Sequence, residues 1–100
     1  MASRKPQSPP AARAVYPRKI DGIQLHEVED GYIATDAADR VHHLNATAAL
    51  VIELCTGANS TEEIVDLVRE AYQLRQRPEQ EVLDVLTRMA QAGLIAPLPV

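Results

Sequence analysis

Residues 41–57, Val-His-His-Leu-Asn-Ala-Thr-Ala-Ala-Leu-Val-Ile-Glu-Leu-Cys-Thr-Gly, leave this chain few options. Val41 to Leu44 read as a strand, and one polar residue, Asn45, separates that strand from an apolar run reaching Cys55. Asparagine is a preferred N-cap because its side-chain oxygen accepts from an orphan amide of the first helical turn. Gly57 is placed to stop the helix, since glycine enters the left-handed region freely. A strand and a helix are thus joined with almost no loop, which fixes the orientation of the strand against the helix. Within the helix expected over 46–55, apolar residues fall on nearly every side, the mark of a helix buried all round.

The segments before and after supply partners for that unit. Ile23 to Val28 and Tyr32 to Thr35 are short and rich in β-branched and aromatic residues, and Glu29-Asp30-Gly31 between them is a hairpin signal. Arg40 to Leu44 follows the turn Asp36-Ala-Ala-Asp39, so three antiparallel strands in sequence form a meander. A second helix opens at Ser60, where Glu63 completes a capping box, and carries Ile64, Val65, Leu67, Val68, Ala71 and Tyr72 at helical spacing. A third opens at Pro78, a residue favoured in the first turn, and ends before Gly93. Its apolar residues Val82, Leu83, Val85, Leu86, Met89 and Ala90 span an arc of roughly 160° at about 100° per residue. That is wider than packing on one neighbour requires. The expectation is an α+β, winged-helix-like domain: a three-stranded antiparallel sheet followed by three helices.

Domain organisation follows composition. One hundred residues suit one domain with an adequate core. Residues 1–19 contain Pro6, Pro9, Pro10 and Pro17 among small and basic residues and show no apolar period, so they read as a disordered, Pro-rich basic tail, dispensable to about Arg18. The folded domain is expected over 20–100. There the chain carries 14 acidic against five basic side chains, a formal net charge of −9. That sign repels phosphate backbones, so no nucleic-acid partner is expected of the body, and the basic tail is the one segment suited to an acidic partner. A single cysteine excludes an internal disulfide and suits a reducing compartment. With no secretory h-region and no apolar run long enough for a bilayer, the reading is a cytoplasmic protein without a membrane partner.

The catalytic inventory is thin. His42 and His43 are adjacent, and neighbours on a strand point to opposite faces, so the pair cannot clasp one metal ion. His26, even if it approached one of them across the sheet, would add only a second imidazole, with no Cys or carboxylate cluster to complete a zinc site. Cys55 ends an apolar helix with no basic neighbour close in sequence and reads as a buried small hydrophobe. Asp21, Glu29, Asp30, Asp36 and Asp39 lie mostly in turns, where carboxylates serve as caps. No phosphate-cradling glycine loop or GxSxG turn occurs. The expectation is no enzyme, no catalytic residue, no metal and no cofactor.

The Val41-His-His-Leu-Asn45 run, then Thr47-Ala-Ala-Leu-Val-Ile-Glu-Leu54, Gly57, the Ser60-Thr-Glu-Glu-Ile-Val65 run and the Ala92-Gly-Leu-Ile95 ending together resemble the PqqD family. These small proteins are also called RiPP recognition elements and bind the leader segments of ribosomally made precursor peptides. The resemblance covers about Ile23 to Ile95, and the Pro-rich front has no counterpart in it. It implies a peptide chaperone in natural product biosynthesis: the leader adds as an extra strand beside the third strand, lies against the third helix, and is presented to a modifying enzyme such as a radical SAM protein, a cyclodehydratase or a leader peptidase. The peptide-binding residues would then be Arg40, Val41, His42, His43 and Leu44 on the strand edge, and Val82, Val85, Arg88 and Met89 on the helix. Met89, with its flexible thioether, suits a groove that adapts to its occupant, and Arg88 suits an acidic leader residue. The alternatives are a winged-helix DNA-binding regulator, which needs cations that the second helix and the hairpin lack, and a structural adaptor or homodimer using the same strand edge.

Overall fold

The computed structural model describes residues 14–98. Three strands, β1 (Gln24–Val28), β2 (Gly31–Thr35) and β3 (Val41–Leu44), precede three helices, α1 (Ala46–Leu54), α2 (Thr61–Tyr72) and α3 (Glu79–Gln91). The sheet has the order β1-β2-β3 and is antiparallel throughout. Val28 pairs with Gly31 around the two-residue loop Glu29-Asp30, and Tyr32 pairs with Leu44 at the far end of β3. The expected architecture of a sheet followed by three helices is the one observed.

The junction at Asn45 behaves as its chemistry dictates. Asn45 is extended, with ψ 175°, and its side chain accepts from the backbone N–H of Ala48 at 2.8 Å. One residue, Asn45, therefore separates the end of β3 from the start of α1. Helix α1 packs on β2, β3, α2 and α3, burying Ala48, Ala49, Val51 and Ile52 and half-burying Leu50 and Leu54. Only Ala46, at its first position, and Glu53 are exposed. Around α1 lie Ile64, Val65 and Val68 of α2 and Val82, Val85 and Leu86 of α3, with Leu94 and Ile95 closing the end.

The helix ends partly follow expectation. Ser60 accepts from Glu63 N–H at 3.1 Å while the Glu63 carboxylate accepts from Ser60 N–H at 2.7 Å, completing the capping box. Gly93 is left-handed, with φ 77°, and Leu94 N–H returns to Met89 C=O at 2.9 Å, which stops α3 at the position its sequence implies. Gly57 plays another part: α1 ends at Leu54, and Cys55, two residues before Gly57, leaves the helical region with φ −81° and ψ 71°. Gly57 adopts φ 86°, and its N–H donates to Pro17 C=O at 3.0 Å. A Cβ there would sit 3.1 Å from the Arg18 side chain. The glycine admits a close approach of the N-terminal segment and is not the helix cap.

That approach moves the expected domain boundary. Residues 1–13 of the tail lie outside the described residues, but 15–19 are tied into the fold. Thr61 N–H donates to Val15 C=O, Lys19 N–H to Cys55 C=O and Ala96 N–H to Arg18 C=O, at 2.8–2.9 Å. Arg18 bridges Thr56 on one side and Lys19 bridges Ile95 on the other. Pro17 is buried. Composition points to a tail because these residues have no apolar period; backbone pairing, which needs none, holds them. A chain shortened to begin at Lys19 should therefore lose the three hydrogen bonds from Val15, Pro17 and Arg18, roughly 2–4 kcal/mol at about 1 kcal/mol each. Chemical denaturation checks this, and an unchanged midpoint would show the segment to be dispensable.

Candidate functional site

β3 is an edge strand. β2 pairs with one side, and among the described residues nothing pairs with the other. The phase of the ladder decides which backbone groups are free. Asp36 N–H donates to Arg40 C=O at 3.0 Å, so Asp36 and Arg40 form a bonded pair, and bonded pairs alternate along an antiparallel ladder. His42 with Ala34 and Leu44 with Tyr32 are then the next bonded pairs, and the N–H and C=O groups of Val41 and His43 point away from the sheet. The side chains alternate too. His42 and Leu44 share the inner face with buried Ala34, while Val41 and His43 share the outer face with Ile33.

Beside this edge lies a cavity of about 310 Å3. One wall is β3 and its junction, His42, His43, Leu44 and Asn45. The other is formed by Arg88 and Met89 in the last turns of α3 and by Ala92 and Leu94 just beyond it, with Ala48 of α1 between the two walls. Leu44 and Met89 are buried, so they form its floor, and Arg88 is exposed at its rim.

Most of the residues singled out in the sequence meet here. His42, His43, Leu44, Arg88 and Met89 line the cavity. Val41 is 53% exposed and borders it through the strand edge alone. Arg40 sits just outside β3, its guanidinium 2.8 Å from Asp36. Val82 and Val85 are a correction: both are fully buried in the core and neither lines the cavity. Along the N-terminal half of α3 the arc is divided between buried Val82, Val85 and Leu86 and exposed Leu83, and it reaches the cavity only in its last turns. Sequence reasoning missed Asn45, Ala48, Ala92 and Leu94. Ala92 is legible as the residue four after Arg88, one turn further along the same helix face.

Asp36 is the other residue missed. It reads as a turn cap, and it is one: its Oδ1 accepts from Ala38 and Arg40 N–H, both at 2.9 Å. Its Oδ2 also takes the Arg40 guanidinium at 2.8 Å and His42 Nε2 at 3.1 Å. One nearly buried carboxylate thus sets the start of β3 and the ring of a cavity-lining histidine. The Arg40 backbone N–H, more than any other partner, holds this carboxyl well below the usual carboxylate range; burial opposes the shift, and His42, Ala38 and the Arg40 side chain reinforce it. Cys55 goes the other way. Burial pushes its thiol up to about 12, against a smaller opposing pull from Lys19, which agrees with a packing role for this side chain. His26 pairs with Ile33, which pairs with His43, so these two imidazoles lie two strands apart in one outward row. Among the described residues no three His, Cys, Asp or Glu side chains converge on a common point, and no helix is long and apolar enough to cross a membrane.

The family model described as "Coenzyme PQQ synthesis protein D (PqqD)" matches residues 22–95. The chain belongs to the PqqD family. The family is the one that the runs at 41–54, 60–65 and 92–95 resemble, and the match covers all three strands and all three helices. A solved structure described as "Lasso peptide synthetase B1 complexed with the leader peptide" shares the fold, with a TM-score of 0.65 at 20% identity, over 82% of this chain and 99% of that one. No curated protein matches. In this PqqD-family chain, then, the unpaired edge of β3 and the cavity beside α3 lie wholly within the matched span.

The Asp36 geometry makes a pH-dependent prediction. A carboxyl whose folded pKa is depressed contributes stability that is fully present above its unfolded value and is lost as pH falls from there toward the folded value. Asp36→Asn should lower the Tm at pH 7, and the gap to the unaltered chain should close as pH drops below about 4, the ordinary aspartate value. Thermal melts from pH 7 to pH 2.5 measure it. A gap that stays constant over that range would show that the charge on Asp36 contributes nothing.

Proposed function

We propose that this chain binds the leader segment of a ribosomally synthesised precursor peptide as an added strand along β3 and presents it to a peptide-modifying enzyme. A radical SAM protein, a cyclodehydratase or a leader peptidase would fit that place. One observation carries the reading: the unpaired edge of β3 runs beside a cavity whose opposite wall is α3. The backbone groups of Val41 and His43 supply hydrogen bonds common to any extended peptide, and the cavity supplies selection among side chains. Membership of the PqqD family and a fold shared with the lasso peptide synthetase B1 described with the leader peptide support it.

The chemistry of the walls limits what the leader offers. Residues opposite His42 and Leu44 turn inward, so every second leader side chain enters the cavity over Leu44, Met89, Ala48 and Ala92. Those side chains are apolar. Arg88 at the rim favours a leader carboxylate nearby, within a domain otherwise acidic. The winged-helix alternative runs against charge. On α2, Glu62, Glu63, Asp66 and Glu70 are all exposed and Arg69 is the one cation, which repels a phosphate backbone. Holding the leader while docked to an enzyme would make delivery of the attached core intramolecular, at an effective concentration on the order of millimolar for a short linker.

Two experiments test this. Val41→Pro and His43→Pro each remove an outward N–H without removing a bond to β2, so the circular dichroism spectrum should be kept and leader affinity should fall about tenfold, near 1.4 kcal/mol. His42→Pro removes a ladder bond and should destabilise the fold instead. Calorimetry with the leader peptide reads the affinities, and an affinity in both folded variants equal to that of the unaltered chain would place the peptide elsewhere. In turnover assays the chain should accelerate modification of full-length precursor at low substrate concentration and leave leaderless core unaffected. Equal stimulation of both substrates would rule out tethering.

A further inference from the structure

His42 brings a polar ring to the apolar inner face of β3, and Asp36 decides which of its nitrogens is free. The Asp36 carboxylate accepts from Ala38 N–H and Arg40 N–H at Oδ1, and takes Arg40 Nε and His42 Nε2 at Oδ2. Those four contacts fill its lone pairs. The carboxyl is held ionised well below the usual carboxylate range, and an ionised carboxylate can only accept, so the proton between it and His42 sits on Nε2. A neutral imidazole carries one such proton. Nδ1 is then an acceptor.

Among the described residues nothing donates to that nitrogen. Asn45 and Arg88 line the same cavity, yet the Asn45 side chain is spent on the Ala48 cap and neither residue hydrogen-bonds to His42. The two nitrogens of a five-membered ring point nearly opposite ways, so with Nε2 turned toward Asp36, beyond the end of β2, Nδ1 is turned toward the open side of β3. The side chain is 23% exposed, which leaves it within reach of a ligand. The outward backbone groups belong to Val41 and His43, so on an added antiparallel strand the residue opposite His42 falls in a non-bonded pair, with Cα atoms about 4.5 Å apart and facing side chains at their closest. Nδ1 is attached directly to Cγ and stays near the strand. A hydroxyl on a short side chain spans that gap, as in other cross-strand hydroxyl pairs.

We propose that His42 is a specificity-determining residue of the leader site: its Nδ1 accepts from a serine or threonine hydroxyl on the leader residue facing it, two residues from the apolar side chain seated over Leu44 and Met89, and Asp36 is the positioning residue that sets the ring. The inference rests on the leader strand proposed above. An apolar leader residue opposite His42 leaves Nδ1 covered and unpaired, which costs binding. A leader carboxylate there sets lone pair against lone pair. The site thus selects a hydroxyl and an apolar side chain at alternate positions of one extended segment.

The test uses the full chain and the leader of the precursor peptide encoded beside it. Each leader threonine is replaced by valine and each serine by alanine, and calorimetry reads the affinities for the unaltered chain, His42→Leu and His42→Gln. One replacement should weaken binding to the unaltered chain about five- to tenfold and leave binding to His42→Leu unchanged, since no acceptor remains there. His42→Gln should keep the discrimination, its amide donating to Asp36 while its Oε1 accepts, and it carries the test if His42→Leu folds poorly. Nitrogen NMR of the neutral ring should find the proton on Nε2 in the unaltered chain and on Nδ1 in Asp36→Asn, whose amide donates where Oδ2 accepts. The same leader replacement should then cost Asp36→Asn nothing, a loss of selectivity that lowered stability alone would not produce. A ring proton on Nδ1 in the unaltered chain, or no leader hydroxyl coupled to His42 while Val41→Pro still weakens binding, would overturn this proposal and leave the leader strand standing. A leader indifferent to Val41→Pro and His43→Pro would overturn both.

Discussion

Every feature of this molecule depends on the burial of one nine-residue helix. α1 is apolar enough that water is a poor neighbour on almost any side, and two helices and two strands surround it. Its first turn is capped by Asn45, the residue that also ends β3, so the cap and the strand cannot move independently. A rotation of α1 would pull Leu44 from the core, and a slip of β3 by one residue would turn Leu44 and His42 outward. The placement of the strand edge is thus a by-product of packing, which is how a four-residue strand can hold a fixed position.

The same logic sorts the residues of α3. Where α3 runs alongside α1 and α2, Val82, Val85 and Leu86 vanish into the core, while Leu83 at the margin of the arc stays exposed. In the last turns its neighbour is the end of β3, too short to fill the space, and Met89 and Ala92 are left lining a hollow. Cavity and core are therefore one continuous apolar surface, partly covered. Substitution of Met89 would disturb both, whereas Arg88 at the rim is separable from stability.

Much of this is legible in the sequence because short-range chemistry governs it. The Asn45 cap, the Ser60–Glu63 box and the stop at Gly93 each follow from one or two side chains and their own backbone. The less legible parts depend on distant partners. Residues 15–19 join the fold through main-chain bonds to Cys55, Gly57, Thr61 and Ala96, which no side-chain pattern announces. Gly57 has the signature of a helix cap and instead makes room for Pro17 and Arg18. The division of α3 between core and cavity depends on where β3 ends in space. Asp36 has an ordinary turn signature, and its hold on His42, six residues on, appears only when the hairpin is closed.

The brevity of β3 has a kinetic side. Between the turn at Asp36 and the cap at Asn45, only Val41 and His43 offer outward backbone groups, so an added strand would gain at most four main-chain bonds. With a net worth of about 1 kcal/mol each before the cost of ordering an extended peptide, such a grip stays far from irreversible. About 4 kcal/mol corresponds to a millimolar dissociation constant, and at typical association rates of about 10⁵–10⁷ M⁻¹s⁻¹ a peptide held by those bonds alone would stay roughly a tenth of a millisecond to ten milliseconds. Any longer residence would be set by side chains in the hollow beside the strand and not by its four residues of edge.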